Sequence, residues 1–194
     1  MHTCMTVGHS NYDIATLVRI LRSPAVDTIV DIRSTPYSRR YPQFNRESFR
    51  TDLELYDMRY QYLGDRLGGR HTDPQVLFPD GRVDFSKVQQ LPLFQEGITR
   101  LITEIKKGQR IALLCAEKDP FDCHRFMLVA PALVKKGITV FHILGEGKLV
   151  SQEELEDRLL KKYFPGGLQP SLFESPRSRD ELLEQAYLLK SRGL

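Results

Sequence analysis

Ile111-Ala-Leu-Leu-Cys115-Ala-Glu117-Lys-Asp119-Pro-Phe-Asp122-Cys123-His124-Arg125 decides the fold. It passes from an apolar run through a short polar loop into a helical pattern. Residues 110–115 read as a buried strand, and Met127, Ala130, Leu133 and Val134 recur at helical spacing until Gly137 supplies a C-cap. Ile138 to Leu144 reads as the next strand, so the unit is βαβ, and its crossover length favours a parallel pair. In open parallel sheets ligands bind beyond the carboxyl ends of the strands, which is where Cys115 falls. Cys123 to Arg125 should open the helix, where unpaired N–H groups and the dipole attract anions and lower a thiol's pKa. Cys123 is therefore expected to be the more reactive thiol.

The same alternation extends towards the N-terminus. Thr3 to Val7 is a β-prone run ending in Gly8-His9-Ser10-Asn11, and Ile14, Leu17, Val18 and Leu21 follow at helical spacing, with Ser10 or Asn11 placed to cap. Val26 to Ile32 is a second strand that delivers Asp31 and Arg33 on one face, where a buried pair is expected. Asn45 can cap a helix bearing Phe49, Leu53 and Tyr56, and Tyr60 to Leu63 is a further short strand. Gly64 to Asp84 is punctuated by Gly-Asp, Gly-Gly, Asp-Pro and Pro-Asp-Gly, and its length marks it as a candidate lid. Phe94, Ile98, Leu101, Ile102 and Ile105 form an amphipathic helix stopped at Gly108. The expected fold is α/β, a mainly parallel sheet flanked by helices, with a core domain over 1–147 and a helical, linker-like C-terminal extension over 148–194.

Composition narrows the function classes only modestly. With 194 residues, 41% hydrophobic and 27% charged, the chain can bury one full core. Three cysteines form no repeated framework, which points to reduced thiols. No apolar run approaches the roughly 20 residues of a membrane span, and the N-terminus shows no secretory pattern, so a cytoplasmic protein with no membrane partner is expected. The net charge of +3 does not by itself define a nucleic-acid binder, but the first 86 residues hold eleven arginines and no lysine. Arginine's planar fork pairs bidentately with phosphate, whereas lysine acts as a point charge. Between Arg33 and Arg50 five arginines face a single acid, Glu47.

Val7-Gly-His9-Ser10, Val30-Asp31-Ile-Arg33-Ser34, Ser38-Arg39-Arg40-Tyr-Pro-Gln-Phe44-Asn45, Leu67-Gly68-Gly69 and Leu114-Cys115-Ala-Glu117 through Cys123-His124-Arg125 together resemble the domain-of-unknown-function 488 family of small prokaryotic proteins, over residues 5–145. The resemblance implies no activity, since none is assigned to that family. Pro131 departs from it, standing where the family usually has a helix former, and a kink is expected there. The layout also resembles that of rhodaneses. Those loops place an arginine five or six residues after the cysteine, and here position 121 is Phe, so the likeness bears on fold rather than activity.

The expected crevice gathers His9, Cys115, Cys123 and Glu117 as reacting groups, with Ser10, Asp31, Arg33, Arg39, Arg40, Asn45, His124 and Arg125 binding substrate. Cys115, Cys123, His124 and His9 also admit a metal reading, but no Cys-x-x-Cys or paired-His spacing supports it, so no metal is assigned and no motif names a cofactor. The favoured function is an enzyme acting on an anionic, phosphate-bearing substrate. One rival is a nucleic-acid-binding accessory protein in DNA maintenance, with Arg33 to Arg50 on phosphates and the tail segment Gln169, Ser171, Leu172 and Phe173, which resembles a sliding-clamp motif, on that partner. Another is a redox- or metal-responsive module without catalysis.

Overall fold

The computed structural model describes residues 2–166 and 177–193. The strands are β1 (Thr3–Gly8), β2 (Thr28–Asp31), β3 (Arg59–Tyr62), β4 (Ile111–Cys115), β5 (Thr139–Ile143) and β6 (Leu149–Ser151). They form one sheet in the order β3-β2-β4-β1-β5-β6, parallel except for β6, which pairs antiparallel with β5 at the edge. The mainly parallel α/β architecture read from the sequence is the one observed.

Helices cover both faces. On one lie α1 (Ile14–Arg22) and α2 (Arg46–Glu54), whose Leu17, Leu21, Phe49 and Leu53 pack on Val7, Ile29, Ala112 and Leu114. On the other lie α3 (Gly64–Leu67), α4 (Phe85–Val88), α5 (Pro92–Lys106) and α6 (Ala130–Val134), with Leu67, Val88, Ile98 and Leu133 against Val30, Ile32, Ile111 and Leu113. Successive residues Ile29 and Val30 enter opposite cores, as the two-residue strand period requires. This explains why the central strands read as continuous apolar runs rather than as alternation. In the C-terminal extension, α7 (Gln152–Tyr163) and α8 (Arg179–Ser191) close a third cluster in which Leu155, Leu159 and Ala186 meet Phe121 and Phe126.

The topology positions the site. The chain leaves β1 towards α1 on one face and leaves the adjacent β4 towards α6 on the other. Neighbouring strands whose exits diverge open a crevice at their carboxyl ends. His9 and Ser10 follow β1 and Ala116 to His124 follow β4 at this end of the sheet, where His9 N donates to Cys115 O at 2.9 Å and Ser10 N to Ala116 O at 3.0 Å.

Several local expectations change. The α1 cap is Asp13, whose carboxylate accepts from Thr16 N at 2.6 Å, rather than Ser10 or Asn11; Ser10 has φ 48° and forms the turn instead. Asn45 holds the N-cap position of α2 but its Oδ1 accepts from Ser38 N at 2.7 Å, tying the arginine-bearing loop rather than the helix end. The segment 64–84 is no free lid: Val76 and Phe78 are buried, and Leu77 bridges Val83. At Pro131 the helix is irregular, since a π turn over Arg125–Val129 directly precedes it. The wider turn removes the clash between the proline ring and the carbonyl four residues back. The clamp-like stretch Gln169 to Phe173 lies outside the described residues. No helix among the described residues is long and apolar enough to cross a membrane.

Candidate active site

Two clusters meet at the carboxyl ends of β1, β2 and β4. The first is built around Asp31 and Arg33. Arg33 donates from Nε to Asp31 Oδ1 at 2.9 Å and from Nη2 to Asp31 Oδ2 at 2.6 Å, while Nη2 also reaches Phe44 O at 2.8 Å. Tyr60 donates its hydroxyl to Asp31 Oδ2 at 2.7 Å, and both burial and that carboxylate push its phenol up. The fork expected to receive an anion is thus filled by Asp31. His9 joins this cluster as a neutral ring. Its Nδ1 lies 2.9 Å from the Ser10 carbonyl, which can only accept, so Nδ1 carries the proton and Nε2 accepts from Arg33 Nη1 at 3.2 Å. Burial and then the Arg33 charge pull its pKa down to about 4. With its lone pair occupied, His9 is a positioning group, stacked on Phe44 at 4.2 Å.

The second cluster holds Cys115, Cys123, His124 and Arg125. His124 Nε2 lies 3.0 Å from the Ile32 carbonyl and must donate to it, which leaves Nδ1 facing both sulfurs, 3.6 Å from Cys115 Sγ and 3.8 Å from Cys123 Sγ. A hydrogen bond from Cys123, with the His124 and Arg125 charges, draws the Cys115 thiol well below its usual value against the opposing effect of burial. Burial, then the Cys115 charge, pushes Cys123 up. The electrostatics thus favour the thiolate on Cys115 over Cys123, the opposite of the order expected from the sequence. Cys123 has extended backbone and its carbonyl accepts from Met127 N at 3.2 Å, so it stands at the helix entrance as expected, but burial outweighs that placement. Cys4 sits in the core of β1, and burial raises its thiol to about 12.

Arg125 is fully buried, and only its Nη2 is used, donating to the Lys118 carbonyl at 2.9 Å. Its Nε and Nη1 have no hydrogen-bond partner among the described residues. Among the described residues no carboxylate is paired with this guanidinium. A buried fork with two idle donors is a costly arrangement unless an anion completes it.

The remaining expected residues divide. Ser10 and Glu117 stand outside the buried clusters, Ser10 half-buried and Glu117 exposed. Arg39 and Arg40 are exposed on the neighbouring loop, with Arg40 over the Tyr41 ring at 5.4 Å, and they stay outside the buried clusters. Two glycines do work the sequence reading left unassigned. A Cβ at Gly8 would overlap the Glu117 carbonyl oxygen and come within 2.5 Å of Arg125 Nη1. One at Gly69 would come within 2.7 Å of the His124 ring and Cβ. Both glycines stand in the quoted Gly-His-Ser and Gly-Gly motifs, where close backbone approach is the usual reason for the residue.

Fold and site together define an open α/β protein with a thiol, imidazole and guanidinium cluster at a point where strand exits diverge. The chain belongs to the family described as domain of unknown function DUF488, whose profile matches residues 13–131. No curated protein and no solved structure matches it.

Proposed function

We propose that the protein is an enzyme that binds a phosphate-class anion on Arg125 and acts on it with the groups of the Cys115, Cys123 and His124 cluster. The observation that carries this reading is the pair of idle, buried donors on Arg125. A planar guanidinium held in a low-dielectric crevice offers charge and directed N–H groups to a forming or bound oxyanion, at no cost of reorganisation. The outer wall is the loop 116–119, and its displacement admits the anion. Arg33, satisfied by Asp31, shapes the wall rather than gripping substrate.

Calorimetric titration with inorganic phosphate tests the reading. One site per chain is expected, competed by sulfate, and lost in Arg125→Gln but kept in Arg39→Ala. Equal phosphate affinity in wild type and a folded Arg125→Gln protein would overturn it.

A second reading is favoured by the loop from Thr35 to Pro42. Tyr37 is 62% exposed and stands beside exposed Arg39 and Arg40, an arrangement of stacking ring and phosphate contacts suited to single-stranded nucleic acid. In that reading the bound anion is a phosphate of a nucleic-acid strand, and affinity falls with salt.

A further inference from the structure

We infer that Cys115, Cys123 and His124 form a binding site for one divalent ion of the zinc class. Their ligand atoms, Sγ, Sγ and Nδ1, all lie within 4.8 Å of one another. Ligands at about 2.3 Å (sulfur) and about 2.0–2.1 Å (imidazole nitrogen) in a tetrahedral site stand roughly 3.6 Å apart. The observed sulfur–nitrogen separations are 3.6 and 3.8 Å. The two sulfur–nitrogen edges therefore match such a tetrahedron, and the sulfur–sulfur edge lies within 4.8 Å.

Three further features belong to a metal site rather than to packed thiols. The Ile32 carbonyl orients His124 through Nε2 and aims Nδ1 at the sulfurs, the usual outer-shell support of a ligating histidine. Gly69 packs closely on the same ring and admits no side chain that would turn it. The Arg125 amide points at Cys123 Sγ from 3.5 Å, a contact that stabilises sulfur as thiolate. Two thiolates and an imidazole select a borderline-soft ion over magnesium or calcium, which take oxygen ligands.

Three protein ligands leave a fourth position open, the pattern of catalytic rather than structural zinc. Two thiolates neutralise the ion, so the Arg125 charge remains for an anionic occupant, a hydroxide or an oxygen of the bound anion. The metal site stands without the phosphate reading; only this role of the fourth position rests on it. Such an ion would supply the Lewis acid that the thiols alone lack.

The test uses the full chain, stripped of metal and kept reduced with a phosphine. Added cobalt(II) should bind at one equivalent, giving sulfur-to-metal charge-transfer bands and the visible bands of a tetrahedral ion, displaced by zinc. Cys4→Ser should leave the spectrum unchanged, whereas Cys115→Ser and Cys123→Ser should each weaken or abolish it. X-ray absorption of the zinc-loaded wild type needs no variant to fold, and should show two sulfurs at about 2.3 Å with one nitrogen at about 2.0 Å. The spectrum of aqueous cobalt, or a zinc shell of oxygen and nitrogen only, would overturn the site. Phosphate binding that persists in such a metal-free protein would leave the anion reading intact, and metal binding without phosphate binding would leave the metal site alone.

Discussion

Arg33 and Arg125 carry the same side chain within one crevice and take opposite parts. Arg33 is bidentate on Asp31 and further held by Phe44 O and His9. Arg125 gives one bond to a carbonyl and leaves two donors idle. Removing the charge of Asp31 strands Arg33, so Asp31→Asn should lower folding stability by ~3–5 kcal/mol, measured by urea denaturation. A loss below about 1 kcal/mol would show that water replaces the carboxylate and that the pair is not sealed. Which arginine would be satisfied was not legible from spacing. The two-residue separation of Asp31 and Arg33 foretold their pairing, but the idle state of Arg125 follows from a loop carbonyl and a glycine that meet it only in three dimensions.

At the scale of elements, the strands and the longer helices were readable because apolar runs and helical periods coincide with burial: β1, β2, β4 and β5 fall where the runs lie. The π turn, β6 and the true α1 cap were not, since each depends on competition between local partners that a pattern of apolar positions does not register. The extension is tied to the sheet through a polar relay. His142 Nε2 donates to Gln152 Oε1 at 2.8 Å and its Nδ1 accepts from Thr6 at 2.7 Å, while Gln152 Nε2 donates to the Tyr187 hydroxyl at 2.7 Å. The relay needs a neutral His142, and burial lowers its pKa to about 4, as it does for His9. Both folded-state values lie below the unfolded value near 6.5, so the unfolded chain binds more protons between them. Stability from these two rings is fully present above about pH 6.5 and is lost as pH falls towards 4, by about 3 kcal/mol for each. His124, raised by Cys115 against its burial, acts in the opposite sense, on the alkaline side. Urea midpoints measured from pH 7.5 to 4.5 should fall steadily, and His142→Gln should flatten the slope. A midpoint independent of pH over that range would mean that neither ring is held neutral.

For the whole molecule, the sheet order sets the chemistry. Because β1 and β4 are neighbours with diverging exits, a histidine from one and a thiol from the other come together at that end of the sheet, and the π turn before α6 carries Arg125 in behind them. The cationic loop with Arg39 and Arg40 lies outside this buried group, so a sequence view that pooled all the arginines could not separate a buried guanidinium from surface ones. The extension bears on the site as well: Lys190, only 3% exposed, donates to Asp122 at 2.8 Å, and Arg158 reaches Asp119 at 3.2 Å, fastening both ends of the short turn before Cys123. The most direct measurement is the nitrogen-15 NMR signal of the Arg125 Nε–H group in the wild-type chain, followed during titration with inorganic phosphate. A saturable downfield shift of that proton, with the Arg33 Nε signal unmoved, is the predicted result; an Arg125 signal that stays fixed through the titration, or a shift confined to Arg39 and Arg40, would contradict it.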